Sequence, residues 1–246
     1  MTPRSAKSSS RSRFWPHVVG LGVIVALAYL AWEAIRWPNV AALATRAPAS
    51  TAFIERYRAL EREAGRSGRA QWTWMPYGRI AIPLKRAVVV AEDASFFSHR
   101  GFATAEIREA IDKAVREFGL PRGASTITQQ LAKNLWLSPS RNPLRKAKEA
   151  MLTWQLERAL SKRRILEIYL NVVEFGPGVY GAEAASRRYF GKPAAELTEE
   201  EAALLAAGLP RPSIWHPGVG SRAYRRYVDD IRRRMERIAL PVKQLE

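Results

Sequence analysis

No cysteine occurs among the 246 residues, so disulfides and thiolate metal sites are excluded and an oxidising compartment is permitted. Acidic residues are missing from the N-terminus as well. Arg4, Lys7, Arg11 and Arg13 all precede the first of them, Glu33. Between Phe14 and Trp32 there is no Asp, Glu, Lys or Arg at all. The chain also lacks an internal repeat, a long low-complexity tract, and any run of strand alternation bracketed by turns. These absences exclude a repeat array and a β-sandwich, and they leave a mainly α-helical protein.

The uncharged N-terminal stretch has the length of a membrane span. Nineteen residues run from Phe14 to Trp32, against a requirement of roughly 17–25. Positive charge on its N-terminal side and aromatics at Phe14, Trp15, Trp32 and Trp37 predict a cytoplasmic N-terminus. A cleaved signal peptide is the competing reading, with Ala26-Leu27-Ala28 as its site. Against it, the apolar run continues beyond that point and ends in an aromatic residue. The expected organisation is a basic tail over 1–13, an anchor over 14–36, a linker over 37–50 and one domain over 51–246.

A hydrophobic fraction of 47% with eight Trp supplies a substantial core. The net charge of +17 calls for an anionic partner. Helices are predicted over Phe53–Glu63, Leu84–Glu92 and Ala103–Phe118, with Gln71–Gly78 extended or irregular between the first two. Thr198-Glu199-Glu200-Glu201 is a capping box, and Gly208 with Pro210 stops the helix it opens.

Four stretches concentrate groups that carry chemistry. In GASTITQQLAKN (Gly123–Asn134), Ser125 is expected to cap a helix that turns Ile127, Leu131 and Leu135 inward. Thr126, Gln130, Lys133 and Asn134 then form a polar strip, and the free amides of the cap favour an anion. A capped surface helix is the alternative. In AEDASFFSHRGF (Ala91–Phe102), Glu92 ends an apolar helix before two phenylalanines, a setting that raises a carboxyl pKa as a general base or acid requires. Glu92 and Asp93 capping the helix or pairing with Arg100 is the competing reading.

In RNPLRKAKEAMLTWQLE (Arg141–Glu157), Arg145 and Glu149 sit one turn apart with Lys146 and Lys148 beside them. An intrahelical pair contributes only a few tenths of a kcal/mol. The surplus of cations describes a carboxylate in a positive pocket, suited to anionic oxygens, with a solvated basic face as the alternative. In Ser161–Lys192, Ile165, Ile168 and Tyr169 form an apolar stripe, Glu167 and Asn171 share another face, and Gly176, Gly178 and Gly181 permit a tight loop. Most of that stretch reads as scaffold.

Taken in order, Glu92-Asp93-x-x-Phe96-x-x-His99-x-Gly101, Gly123-x-Ser125-Thr126-Ile127-Thr128-Gln129-Gln130-x-x-Lys133-Asn134, Arg145-Lys146-x-x-Glu149 and Arg164-Ile165-x-Glu167-x-Tyr169-x-Asn171 resemble one known family. It is the glycosyltransferase domain that polymerises peptidoglycan from lipid II, glycosyltransferase family 51. The similarity runs from about residue 50 to 217, and Ala124 departs from a position where the family often has glycine.

The resemblance implies a lysozyme-like helical domain held at the outer face of a bacterial inner membrane by one N-terminal helix. It implies Glu92 as the base that deprotonates the acceptor hydroxyl. Glu149 would be the carboxylate that assists departure of the lipid pyrophosphate, alone or through a divalent cation such as Mg or Mn. Asp93, His99, Ser125, Thr126, Gln130, Lys133, Asn134, Arg141, Arg145 and Lys146 match positions that bind substrate. Lipid II, the growing glycan and the membrane are the implied partners, with recruitment by cell-division or elongation proteins and no nucleic acid.

Ser-x-x-Lys and Lys-Thr-Gly, which mark an attached transpeptidase, do not occur, so crosslinking is not expected. A lytic enzyme on the same scaffold is the alternative, but it has no need of a basic, amide-rich cradle. A tethered nucleic-acid-binding module would leave Glu92 and Glu149 unexplained.

Overall fold

A computed structural model describes residues 14–103, 125–140 and 142–246. It divides into two units, Met1–Asn39 and Val40–Glu246. The predicted helix over Ala103–Phe118 lies outside the described residues from residue 104 onward, as does Arg141.

In the first unit, α1 spans Phe14–Ile35. Among the described residues no helix is long and apolar enough to cross a membrane. The side chains of Phe14–His17, Ala26, Tyr29, Leu30 and Ala34 fall outside that set.

The second unit opens with a 3-10 turn over Val40–Ala44, whose Val40 and Leu43 are buried. Arg164 donates to the carbonyls of Leu43 at 2.7 Å and Arg46 at 2.8 Å. Residues 40–46, expected to be linker, are therefore held by the domain.

Helix α2 spans Ala52–Glu63 and is capped by Thr51, which accepts the Ile54 N–H. Helix α3 spans Ile82–Glu92, two residues longer at its start than predicted, because Pro83 suits the first turn where its missing N–H costs nothing. Then come α4 (Ile127–Trp136), α5 (Pro143–Ala159) and α6 (Lys162–Val172). The remaining helices are α7 (Ala182–Phe190), α8 (Glu199–Gly208), α9 (Arg222–Arg237) and α10 (Val242–Leu245). The expected capping box at Thr198 and Glu201 opens α8, and α8 ends at Gly208.

Two packed groups form the core. In one, α3 lies against α8 and α9. Val88, Val89 and Val90 are buried, as are Ala202, Leu205 and Ala206, while Tyr224, Val228, Ile231 and Met235 line one face of α9. That four-three-four spacing is an amphipathic stripe, and it leaves the arginines of α9 exposed apart from half-buried Arg234. In the other group α4 packs on α5 and α6, burying Ile127, Leu131, Leu152, Leu156 and Ile165.

A small sheet joins the groups and was not anticipated from the sequence. Strand β1 (Gln71–Trp72) pairs parallel to β3 (Val179–Tyr180), which pairs antiparallel to β2 (Glu174–Gly176). Strands of two or three residues carry no readable alternation. The hairpin needs Gly178 at φ +71°.

The Glu167 and Asn171 face of α6 turns out to hold the Met75–Tyr77 segment. Asn171 Oδ1 accepts the Met75 N–H at 2.7 Å, and Glu167 Oε1 accepts the Tyr77 N–H at 2.9 Å. These side chains are scaffold, as the sequence suggested.

Candidate active site

Glu92 is the last residue of α3, half-buried, at the edge of the Val88–Val90 core. Its Oε2 accepts the Gln130 Nε2–H at 2.7 Å. Burial pushes the Glu92 carboxyl above its ordinary value, and the neighbouring Asp93 charge adds to this. The Gln130 hydrogen bond opposes the rise, with smaller contributions from Lys133 and Arg234. A raised pKa at Glu92 was expected, and desolvation is its cause.

Asp93 has a framing role in the structure. The residue is only 4% exposed. Its oxygens accept from His99 Nε2 at 2.9 Å and from the Ile127 N–H at 3.0 Å. His99 Nδ1 in turn accepts the Gly101 N–H at 3.1 Å, which places the imidazole proton on Nε2, toward Asp93. Asp93 and His99 thus fix the loop after α3 to the first turn of α4.

The cap of α4 is Thr126, one residue later than the expected Ser125. Its hydroxyl accepts from the Gln129 N–H while Gln129 Oε1 accepts the Thr126 N–H. The sequence reading overlooked Gln129 as the third helical residue, which completes a capping box with Thr126. The Thr126 hydroxyl also donates to the Gly101 carbonyl at 2.7 Å, so Thr126 is committed to framework. Ser125 remains exposed at the mouth of the helix. Asn134 is buried on α4.

Gln130 faces Glu92, and its Oε1 accepts from the Tyr169 hydroxyl at 2.8 Å. Lys133, about two turns beyond the cap, is half-buried. Burial lowers its pKa, the charges of Glu149 and Glu92 raise it, and Arg145 and Lys146 lower it further. Lys133 is therefore within electrostatic reach of both carboxylates.

Glu149, on α5, is only 3% exposed. Arg145 Nη1 donates to its Oε2 at 2.7 Å, and Lys146 Nζ donates to its Oε1. Arg145 Nε is the only buried side-chain nitrogen or oxygen without a hydrogen-bond partner among the described residues. An anionic oxygen can satisfy such a donor, and leaving it unsatisfied is costly.

The divalent cation considered for Glu149 does not fit these residues. Both of its oxygens are taken by cations, and no cluster of three His, Asp or Glu able to hold a metal exists among the described residues.

Two further residues were not legible in the sequence. Arg234 and Tyr227, on α9, both interact electrostatically with Glu92. Nothing in their local spacing points to a site more than 130 positions earlier; only the packing of α9 on α3 brings them there.

One half-buried carboxylate on an apolar helix end, and one clamped by cations, flank a shared lysine. A family model described as Transglycosylase matches residues 59–238 of this chain. The chain is 51% identical over 194 residues to a biosynthetic peptidoglycan transglycosylase of Thiobacillus denitrificans, covering 79% of this chain and 84% of that one. It is 47% identical over 225 residues to the same kind of protein from Azoarcus sp., covering 91% and 96%. With the counterpart from Bordetella avium the identity is 41% over 240 residues, covering 95% and 100%. The chain belongs to the transglycosylase family.

Proposed function

We propose that Glu92 is the general base, and Glu149 with its two cations the leaving-group support, of an inverting sugar transfer from lipid II. The chain is a peptidoglycan glycosyltransferase, acting in cell-wall biosynthesis by polymerising glycan chains. In the proposed step, Glu92 takes the proton of the acceptor's 4-hydroxyl as that oxygen attacks the anomeric carbon of the donor. The bond from that carbon to the pyrophosphate oxygen breaks, inverting an α-linked donor to a β-linked product.

Charge then gathers on the departing pyrophosphate. Arg145, Lys146 and Lys133 supply fixed positive charge for it, and a buried setting strengthens that contribution. Glu149 holds Arg145 and Lys146 in place, and the unpartnered Arg145 Nε is a donor left for an anionic oxygen. The contrast between the two carboxylates carries the reading: one is desolvated on an apolar helix end, the other is clamped by two cations.

We read the Val40–Glu246 unit as a lysozyme-like catalytic domain on the periplasmic side, with α1 as its anchor in the inner membrane. The uncharged stretch of α1 supports this. So does α5, which turns Glu149 inward while Leu144, Met151 and Trp154 are exposed on its outer side. A lipid-linked substrate explains why the cleft would be kept at the bilayer.

The test incubates the full-length protein in detergent with labelled lipid II and resolves the glycan products on a gel. Wild type is expected to form muramidase-sensitive polymer, with Glu92→Gln reduced about a hundredfold or more. Glu149→Gln should fall by a similar factor. Untouched lipid II together with solubilised cell wall would instead make the protein lytic.

A further inference from the structure

We propose that Tyr169 is a positioning residue for the base: its hydroxyl fixes the Gln130 amide so that the NH2 edge faces Glu92. This rests on the reading of Glu92 as the general base.

A glutamine amide presents a donor edge and an acceptor edge of nearly the same shape, so its orientation depends on what flanks it. Gln130 lies between two such groups. On one side the Glu92 carboxylate accepts from Nε2 at 2.7 Å. On the other the Tyr169 hydroxyl donates to Oε1 at 2.8 Å. Nε2 has one further, longer contact, at 3.4 Å to the Ser125 carbonyl. A flipped amide would set Oε1 against the carboxylate, oxygen against negative oxygen.

Tyr169 is suited to hold that orientation. It is fully buried on α6, 0% exposed, beside Ile165 and Ile168, so its ring cannot swing away. Burial and the nearby Glu92 and Asp93 charges push its phenol well above the ordinary value, which keeps the proton on the oxygen as a permanent donor. The chain of donors therefore runs one way, from Tyr169 through Gln130 to Glu92. Its effect is to stabilise the ionised form of Glu92, the form that can accept a proton. Tyr169 touches no reacting atom in this arrangement; it acts through Gln130.

The groups facing Glu92 come from four elements. They are Asp93 at the end of α3, Gln130 and Lys133 on α4, Tyr169 on α6, and Arg234 with Tyr227 on α9. Only the Gln130 contact is a direct hydrogen bond to the carboxylate among those described. Loss of the lock should thus move the titration of Glu92 upward while the surrounding charges stay in place.

The experiment measures kcat and KM of the full-length protein on lipid II across pH for wild type, Tyr169→Phe, Gln130→Met and the double variant. Tyr169→Phe keeps the buried ring. Its acid limb should move to higher pH, with a loss in kcat of about threefold or more on that limb, a smaller loss at high pH, and KM little changed. Gln130→Met should move the limb the same way, and adding Tyr169→Phe to it should move the limb no further. An unmoved limb in Tyr169→Phe, even with lower thermal stability, would make the hydroxyl merely structural and sink the proposal. So would a shift that persists in full in the Gln130→Met background, or an unmoved limb in Gln130→Met should Tyr169→Phe not fold. Glu92→Gln is run alongside. If it stays active, the base assignment itself fails, and the positioning role with it.

Discussion

The Asp93 carboxylate accepts the backbone N–H of Ile127 at 3.0 Å, tying the end of the helix that carries Glu92 to the start of the helix that carries Gln130. The same carboxylate holds His99, whose loop supplies the Gly101 carbonyl to Thr126. Two stretches separated by some thirty residues are thereby set in register, and the Glu92–Gln130 contact depends on it. Asp93→Ala leaves a buried amide and an imidazole without their acceptor. We expect a loss of about 1–3 kcal/mol in unfolding free energy, read from urea midpoints. Polymer formation should fall as well, since Glu92 and Gln130 lose their common frame.

The setting of Glu92 carries a stability cost. Burial raises its folded pKa, so the native state binds that proton more tightly than the unfolded chain does. Ionising Glu92 at neutral pH therefore destabilises the fold, and the penalty appears as pH rises through the folded pKa. Glu92→Gln should unfold at a higher temperature than wild type at pH 7.5, with the gap closing as pH drops below the ordinary carboxylate range. Calorimetric scans at several pH values check this. On the role proposed for Glu92, activity should show the opposite dependence, falling on the acid side where that carboxyl is protonated.

Arg145 has two tasks: one donor on Glu149 and a second, Nε, still unused. Arg145→Ala should lower turnover about a hundredfold. Arg145→Lys keeps charge but not the planar fork, and should recover only part of that loss. The same lipid II gel measures both variants. Equal turnover for wild type and Arg145→Lys would show that point charge alone suffices.

Gly181 adopts φ +82°, and a Cβ built there would stand 2.6 Å from the Asn171 carbonyl oxygen. Backbone has no flexible end that could yield. Gly181→Ala should cost about 2 kcal/mol or more. Because Asn171 also holds the Met75 segment, β1 should loosen with it, which amide hydrogen exchange at Gln71 and Trp72 would detect.

Much of the architecture was legible because helices announce themselves locally. The Ile127, Leu131 and Leu135 stripe, the Thr198 capping box and the Glu92 helix end all depend on residues within a dozen positions of one another. The cap of α4 was read one residue early, at Ser125, since both Ser125 and Thr126 are competent caps. Gln129 decided between them by closing the box with Thr126. The short strands escaped notice because two or three residues cannot show a period.

By itself the sequence determined that this is a mainly helical chain with an uncharged N-terminal stretch, and it singled out two carboxylates with distinct settings. Apolar spacing and neighbouring charge already differ between Glu92 and Glu149 within one turn of each. Only the tertiary structure decided that Asp93 serves as a frame, that Tyr169 reaches Glu92 through Gln130, and that Arg234 arrives from the far end of the chain. Those contacts join positions 34, 38 and 39 apart, and farther for Arg234. No local pattern encodes such meetings; they follow from which apolar faces bury one another when α3, α4, α6 and α9 pack together.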